Sequence, residues 1–496
     1  MLPDMEIDDF EARTAAFVSW LAEMSVRISP KITLADQRAE GRGRGVVAQD
    51  DIEDDEILFS IPRNAVLNTQ NIASTSISPL LKTLNDMPSW LVGYLRLSHR
   101  SSGQRWLTTT QALTTILMAE GQRKESKWAP YLAILPDQLH SLVFWSDAEL
   151  AELQASAVIK KIGKKGAEDM FSTHVAPLGL DHYSVEICHK VASVIMAYAF
   201  DIPDPSDEPA SGGKEKEADD DLVSDNGEDE KTILSMIPLA DMLNADADRN
   251  NARLVCDNED LEMRAIAPIK KGEEIFNDYG QLPRSDLLRR YGYVTDRYST
   301  YDVAEISTEL IVSAFRNGKV HSSLAKLSPE SLKQRLELAE REGVYEESFD
   351  LLHPGPDEPV IPDELLAFLY ILLVNEDHLK AILDSQSSLP SRSKLATELA
   401  GEVLKTLLQT REKEYLTTVE EDEHLLQDSN LTLRTRMAIQ VRLGEKNVLR
   451  AAVQEASTFT GSNHRMRLGP SKAANEKGGK RKAEDLGQAR KKGRSR

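Results

Sequence analysis

The sequence predicts an α+β protein: a β core of small curved sheets with a helical insert, followed by an all-α C-terminal domain. Three observations predict it. A turned-strand unit occurs twice, far apart in the chain. The residues between the two copies place apolar side chains at helical spacing, and after about residue 300 helical spacing alone continues. At 496 residues the chain is long enough for roughly two or three domains, each with its own core.

The first element reads as an amphipathic helix. Phe17, Trp20, Leu21 and Met24 fall at i, i+3, i+4 and i+7, and Asp8 with Glu11 has capping-box spacing. That stripe is read as core packing. Residues 45–62 switch to a strand pattern: GVVA, a polar turn DDIEDD, then EILFSIP, in which Ile57, Phe59 and Ile61 alternate. The spacing A-x3-I-x3-E-x2-F of Ala48, Ile52, Glu56 and Phe59 returns in Ala265, Ile269, Glu273 and Phe276. A unit seen only twice is no solenoid; it points to a β core whose halves are distant in sequence.

Between the copies, TTTQALTTILMAEG, DAELAELQASAVIKKI and HYSVEICHKVASVIMAYAF are predicted helices. The acidic stretch DIPDPSDEPASGGKEKEADDDLVSDNGEDEK cannot bury enough apolar surface to offset ordering entropy, and it lacks EF-hand spacing, so it reads as a disordered loop. SPESLKQRLELAEREG, DELLAFLYILLV and LRTRMAIQVRLGEKNVLRAAVQEA build the C-terminal helices. The expected division is a β-core domain over 15–300, with its helical insert at about 100–235 and the acidic loop at 203–231. A helical domain over 301–457 and a disordered basic tail over 458–496 follow.

Composition narrows the function. With 41% hydrophobic and 28% charged residues, this is the make-up of a soluble globular protein. No apolar run approaches the roughly 20 residues of a membrane span. The N-terminal MLPDMEIDDFEARTAAF is acidic and has no signal-peptide pattern. Cys188 and Cys256 are too few for a disulfide scaffold or a four-cysteine zinc site, and no metal is implied, so a reducing intracellular compartment is expected. The net charge of −21 disfavours nucleic acid and favours basic protein partners.

Three segments carry candidate chemistry. Gly41-Arg42-Gly43-Arg44-Gly45 leads into a strand; a strand rather than a helix follows, so this is no nucleotide fingerprint, and taken alone it reads as a turn. In IPLADMLNADAD an apolar run ends at Asn244, able to donate and accept at once, or simply to cap a turn. In EEIFNDYGQLPRSDLLRRYGY a strand ends at Asn277-Asp278-Tyr279-Gly280 and a short helix presents Tyr291. Either tyrosine alone could be packing.

The ordered set GRGRGVVA, ADMLNAD, EEIFNDYG and RRYGY resembles the SET-domain protein-lysine methyltransferases. Within them it is similar to the Rubisco large-subunit methyltransferase-like group, with a helical insert and a helical substrate-binding domain, and most of all to the fungal ribosomal lysine methyltransferases. The resemblance covers roughly residues 15–455. It implies S-adenosyl-L-methionine as cofactor, held by Arg42, Gly43, Arg44, Asn244, Ala245 and Tyr291, with Tyr279 catalytic. Tyr198, Ala199 and Asp201, closing the helix AYAFD, and Trp128 in KWAPYLAILP are implied to touch substrate. One departure stands out: the family's Asn-His pair reads Asn244-Ala245 here. The implied partner is a protein with a basic, lysine-bearing segment, ribosomal by analogy. No membrane and no specific nucleic acid are expected as partners.

The C-terminal end carries Lys480, Arg481 and Lys482, a spacer with Glu484 and Asp485, then Arg490, Lys491, Lys492, Arg494 and Arg496. Two basic clusters across a short spacer read as a bipartite import signal, so a nuclear import receptor and a nuclear location are expected.

Overall fold

The computed structural model describes residues 5–467, apart from 41, 73–112, 124, 137–138, 177–182, 206–231, 258, 356–357 and 386–388. Most of the acidic stretch and both basic clusters therefore lie outside the described residues. In chain order the strands are β1 (Arg27–Ile28), β2 (Ile32–Asp36), β3 (Arg44–Ala48), β4 (Ile57–Pro62), β5 (Leu67–Asn68), β6 (Ala199–Pro203) and β7 (Thr232–Met236). They continue with β8 (Asn244–Ala245), β9 (Ala252–Cys256), β10 (Asp260–Ala265), β11 (Glu274–Asn277), β12 (Val303–Ser307) and β13 (Ser348–Leu352). Three small sheets form the β core, ordered β1-β4-β10-β9, β2-β3-β11-β8 and β5-β7-β6.

The repeated spacing has a structural meaning. The two copies bind each other, β4 against β10 and β3 against β11, both antiparallel. Their equivalent positions exchange contacts: Ala48 N–H donates to Glu273 O at 2.9 Å, and Ala265 N–H donates to Glu56 O at 3.0 Å. Ile52 and Ile269 form an isolated antiparallel bridge between them. The core is thus built around a local two-fold relation. Alternation in EILFSIP is not observed: Leu58, Phe59, Ser60 and Ile61 are all buried, and Ile57 is 40% exposed. β4 is a central strand covered on both faces, which removes the period-two signal.

Helix α1 (Met5–Glu23) begins before Asp8, so the Asp8–Glu11 pair lies inside the helix and is no cap. Its Phe17, Trp20 and Leu21 are buried as expected. The indole Trp20 Nε1 donates to Lys127 O at 2.6 Å and its ring stacks on Tyr131, tying the insert to the core. Helix α2 (Val185–Tyr198) starts at Ser184, whose hydroxyl accepts from Ile187 N–H, and stops at Tyr198. Ala199 and Asp201 are therefore on a strand, not on the helix: Ala199 turns extended and AFDIP pairs with β7 along its whole length. Helix α3 (Arg284–Tyr291) is fixed by the buried Arg284–Asp302 pair at 2.6 Å and ends at left-handed Gly292.

Two compact units are present, Met1–Asp302 with Asp422–Arg442, and Val303–Glu421 with Leu443–Arg496. In the first, Met437, Ala438 and Val441 share a cluster with Leu142, Trp145, Leu153, Val158 and Leu288. Buried Arg442 pairs there with fully buried Asp422 at 2.7 Å. The second unit is helical, with α4 (Thr308–Asn317), α5 (Pro329–Arg341), α6 (Asp363–Leu373), α7 (Glu398–Glu412) and α8 (Leu433–Ala456, its later part). It is not all-α, because β12 and β13 pair through five registers. Every residue of α6 from Leu365 to Leu373 is buried, which makes it the centre of this unit. The chain after residue 458 is not loose at once: Gly461 bridges Thr397, Met466 bridges Val374, and Arg467 N–H donates to Leu373 O.

Candidate active site

The sheet β2-β3-β11-β8 brings the three chemical segments together. β11 lies between β3, its antiparallel neighbour, and β8, which runs parallel to it with Phe276 opposite Asn244 and Asn277 opposite Ala245. A parallel pair needs a long connection rather than a hairpin. Here the link between β8 and β11 is the β9–β10 hairpin, so the NDYG turn passes beside the ADMLN segment. Leu239, just before that segment, has φ +80, a strained value for a bulky residue. The reversal there opens the short turn Ala240–Met242 that carries Asp241.

Tyr279 lies half-buried beside this turn. Its hydroxyl donates to Leu243 O at 3.4 Å. Its ring stacks on Tyr291, with centroids 4.3 Å apart and planes 7° from parallel, and Tyr293 tilts against Tyr291 at 6.4 Å. Burial first, then the neighbouring Tyr291, Tyr293, Tyr198 and Asp241, pushes the Tyr279 phenol well above its ordinary range, so it stays protonated. Tyr198 is pushed up to about 12 by burial and the Asp241 charge. Asp241 is itself buried, and burial pushes its carboxyl up to about 8 against the pull of the Tyr131 hydroxyl and nearby backbone N–H groups. Tyr131 donates to Oδ2, while Oδ1 makes no hydrogen bond. A buried, unpartnered carboxyl oxygen among tyrosines, with its titration moved towards neutrality, is the kind of group that clusters at functional sites.

On the other side, Asn244 Nδ2 donates to Gln37 Oε1 at 2.8 Å and to Glu274 Oε1 at 2.7 Å, and Arg42 pairs with Glu274 at 2.6 Å. A Cβ on Gly43 would meet nothing within 4 Å, so its backbone borders open space.

A SET domain is matched over residues 43–280 and a Rubisco LSMT substrate-binding domain over residues 328–449. The chain belongs to the SET-domain protein-lysine methyltransferases. Ribosomal lysine N-methyltransferase 4 of Saccharomyces cerevisiae is 35% identical over 331 residues, 62% of this chain and 61% of that protein. N-lysine methyltransferase SETD6 is 26% identical over 481 residues in Bos taurus (89% of this chain, 95% of that protein). The human SETD6 is 26% identical over 508 residues, 89% and 95% of the two chains. Among solved structures, Rubisco LSMT bound to AdoMet superposes with TM-score 0.64 at 18% identity, covering 90% of this chain and 91% of the other. The LSMT SET domain bound to MeLysine and AdoHcy gives 0.63 at 18%, covering 91% and 95%.

Within this SET domain the sequence-derived residues divide into groups. Arg42, Gly43, Asn244 and Ala245 come together around β11, and Tyr279, Tyr291 and Tyr198 around Asp241. Arg44 contributes backbone only: Asn244 Nδ2 lies 3.5 Å from its carbonyl. Its guanidinium stacks on Phe10 and donates to Thr14, Ile134 and Phe10. Trp128 is 1% exposed against Trp20, so its ring is core and presents no surface to a substrate. Its segment reaches the site through Tyr131 instead. Asp201 is exposed on β6, and Ala199 opposite Met236 is half-buried. Sequence reading missed Asp241, Tyr131, Gln37 and Glu274. The available signal was an acid set within the apolar run IPLADML.

Proposed function

We propose that this chain transfers a methyl group from S-adenosylmethionine to a lysine of a ribosomal protein of the large subunit. The observation that carries the reading is the half-buried Tyr279–Tyr291 stack beside the unpartnered Oδ1 of Asp241. The residues on the other side of β11 fit the cofactor. The hydrogen bonds of Asn244 among the described residues all use its Nδ2, leaving its oxygen as an acceptor, and Gly43 borders open space. When bound, the cofactor supplies an electrophilic methyl group.

The protein's own part is positioning and proton management. A lysine ammonium has an ordinary pKa of about 10.4 and must lose a proton before its nitrogen can attack. Asp241 in its ionised form accepts the proton that the incoming ammonium sheds, and the aromatic walls of Tyr279, Tyr291 and Tyr198 desolvate that ammonium, which favours the neutral amine. Tyr279, held protonated, orients the amine lone pair in line for displacement. Ala245 fills the family's histidine position with backbone in the ladder to Asn277, and no ring is required for that contact.

The ribosomal assignment is supported by the 35% identity to the yeast enzyme and by a net charge of −21, suited to a basic substrate. The near full-length alignment with SETD6, an N-lysine methyltransferase whose name specifies no ribosomal substrate, keeps a second reading beside the first: a nuclear lysine methyltransferase acting on a histone or transcription regulator. Incubation with labelled cofactor and extract from cells lacking this protein separates them. Label in a large-subunit ribosomal protein is the expected result; label confined to histones or regulators selects the second reading, and no labelled protein defeats both.

A further inference from the structure

Glu274 stands on β11 between the two cofactor segments, its side chain 10% exposed. Its Oε2 receives Arg42 Nη1 at 2.6 Å, and its Oε1 accepts from Asn244 Nδ2 at 2.7 Å. Gln37 Oε1 accepts from the same Nδ2 at 2.8 Å. A primary amide has two N–H donors and one oxygen. With these two acceptors and, at 3.5 Å, the Arg44 carbonyl on Nδ2, a flipped amide would set its oxygen against three other oxygens, one of them a carboxylate's. The network therefore admits one orientation of Asn244, the one that keeps Oδ1 available. Gly45 is part of this arrangement. A Cβ there would come 2.5 Å from Gln37 Oε1 and 2.6 Å from its Cδ, so only glycine lets the buried Gln37 amide lie where it does.

We propose that Glu274, with Gln37, is a positioning residue that fixes the Asn244 amide so that its oxygen, not its N–H groups, is offered to the methionine ammonium of S-adenosylmethionine. The inference rests on the cofactor reading above. An ammonium carries donors only, so an amide turned the other way would repel it. The pairing with Arg42 keeps the Glu274 carboxylate in place and ties the glycine-rich segment to the asparagine segment through one side chain.

The test compares two ligands by calorimetry on the full chain. S-adenosylhomocysteine retains the amino-acid ammonium, and methylthioadenosine lacks it. In Glu274→Ala, affinity for S-adenosylhomocysteine should fall about tenfold or more, the scale of a hydrogen bond to a charged group. Methylthioadenosine affinity should stay within about twofold of wild type by the same reasoning, since no such bond is lost. Glu274→Gln, which keeps an acceptor, should recover part of the loss. Gln37→Leu should show the same ligand-selective loss, and it carries the test if Glu274→Ala does not fold. An equal loss for both ligands, or unchanged S-adenosylhomocysteine binding, overturns the positioning role. A wild-type protein that binds neither ligand overturns the cofactor reading itself.

Discussion

Tyr279 combines a protonated hydroxyl, an aromatic wall shared with Tyr291 and a place beside Asp241. Tyr279→Phe keeps the wall and removes the hydroxyl. Turnover should fall by roughly 10²–10³, the scale for one preorganised polar group, with cofactor affinity and Tm nearly unchanged; steady-state kinetics and calorimetry check this. Asp241 makes the opposite kind of prediction. Its folded-state value of about 8 lies above the ordinary 3.8, so between those pH values the folded protein holds a proton that the unfolded chain has shed. Its contribution to stability is therefore favourable at low pH and is lost as pH rises towards 8. Asp241→Asn should flatten this dependence, giving a higher Tm than wild type at pH 8–9, while kcat/KM for a lysine peptide drops at least about tenfold. Thermal melts across pH, with peptide kinetics, read both effects. A variant that loses stability at pH 8–9 defeats the account. In the sequence Asp241 was one acid in an apolar run; only the turn at Leu239 shows that it points into the interior.

At the scale of elements, the repeat was the most informative signal in the chain. Ala48 and Glu56 pair with Glu273 and Ala265, so the matched spacing recorded contacts between the copies as well as likeness. Burial of β4 on both faces hid the alternation expected at Ile57, and pairing with β7 took AFDIP out of the helix expected there. In both cases long-range pairing outweighed the local pattern. The end of α3 shows the same dependence on distant contacts. Gly292 has φ +75, and a Cβ there would meet the backbone of Ser141 at 2.7 Å and His140 at 2.8 Å. Gly292→Ala should cost at least about 1–2 kcal/mol through the left-handed backbone alone, and lower Tm by roughly 3–8 °C. It should also disturb the Tyr291 stack, so near-wild-type turnover together with a lowered Tm would separate α3's end from the site. Gly43→Ala, with no atom within 4 Å of the added Cβ, should leave Tm within about 1 °C. Differential scanning calorimetry on the pair decides.

At the scale of the whole molecule, the sequence suggested a clean break near residue 300, yet Asp422–Arg442 belongs to the same unit as Met1–Asp302. Met437, Ala438 and Val441 look like any helical stripe until Leu142, Trp145 and Leu153 are found against them, and no local spacing announces a partner that distant. Charge along the chain is legible without coordinates. The net charge is −21, yet the stretch from Lys480 to Arg496 is basic. A generic basic tail would bind phosphates and lose that binding steeply with salt, and an acidic body opposes such binding. Two clusters across a spacer containing Glu484 and Asp485 suit an acidic receptor groove better, and we propose nuclear import on that basis. A ribosomal-protein substrate would be met there before assembly. Residues 470–496 fused to a fluorescent cytosolic reporter should carry it into the nucleus. The enzyme truncated at Pro470 should lose nuclear enrichment and keep its methyl transfer in vitro, because the contacts of Gly461, Met466 and Arg467 are retained. A reporter that stays evenly spread defeats the import proposal and leaves the methyltransferase assignment where the SET domain put it.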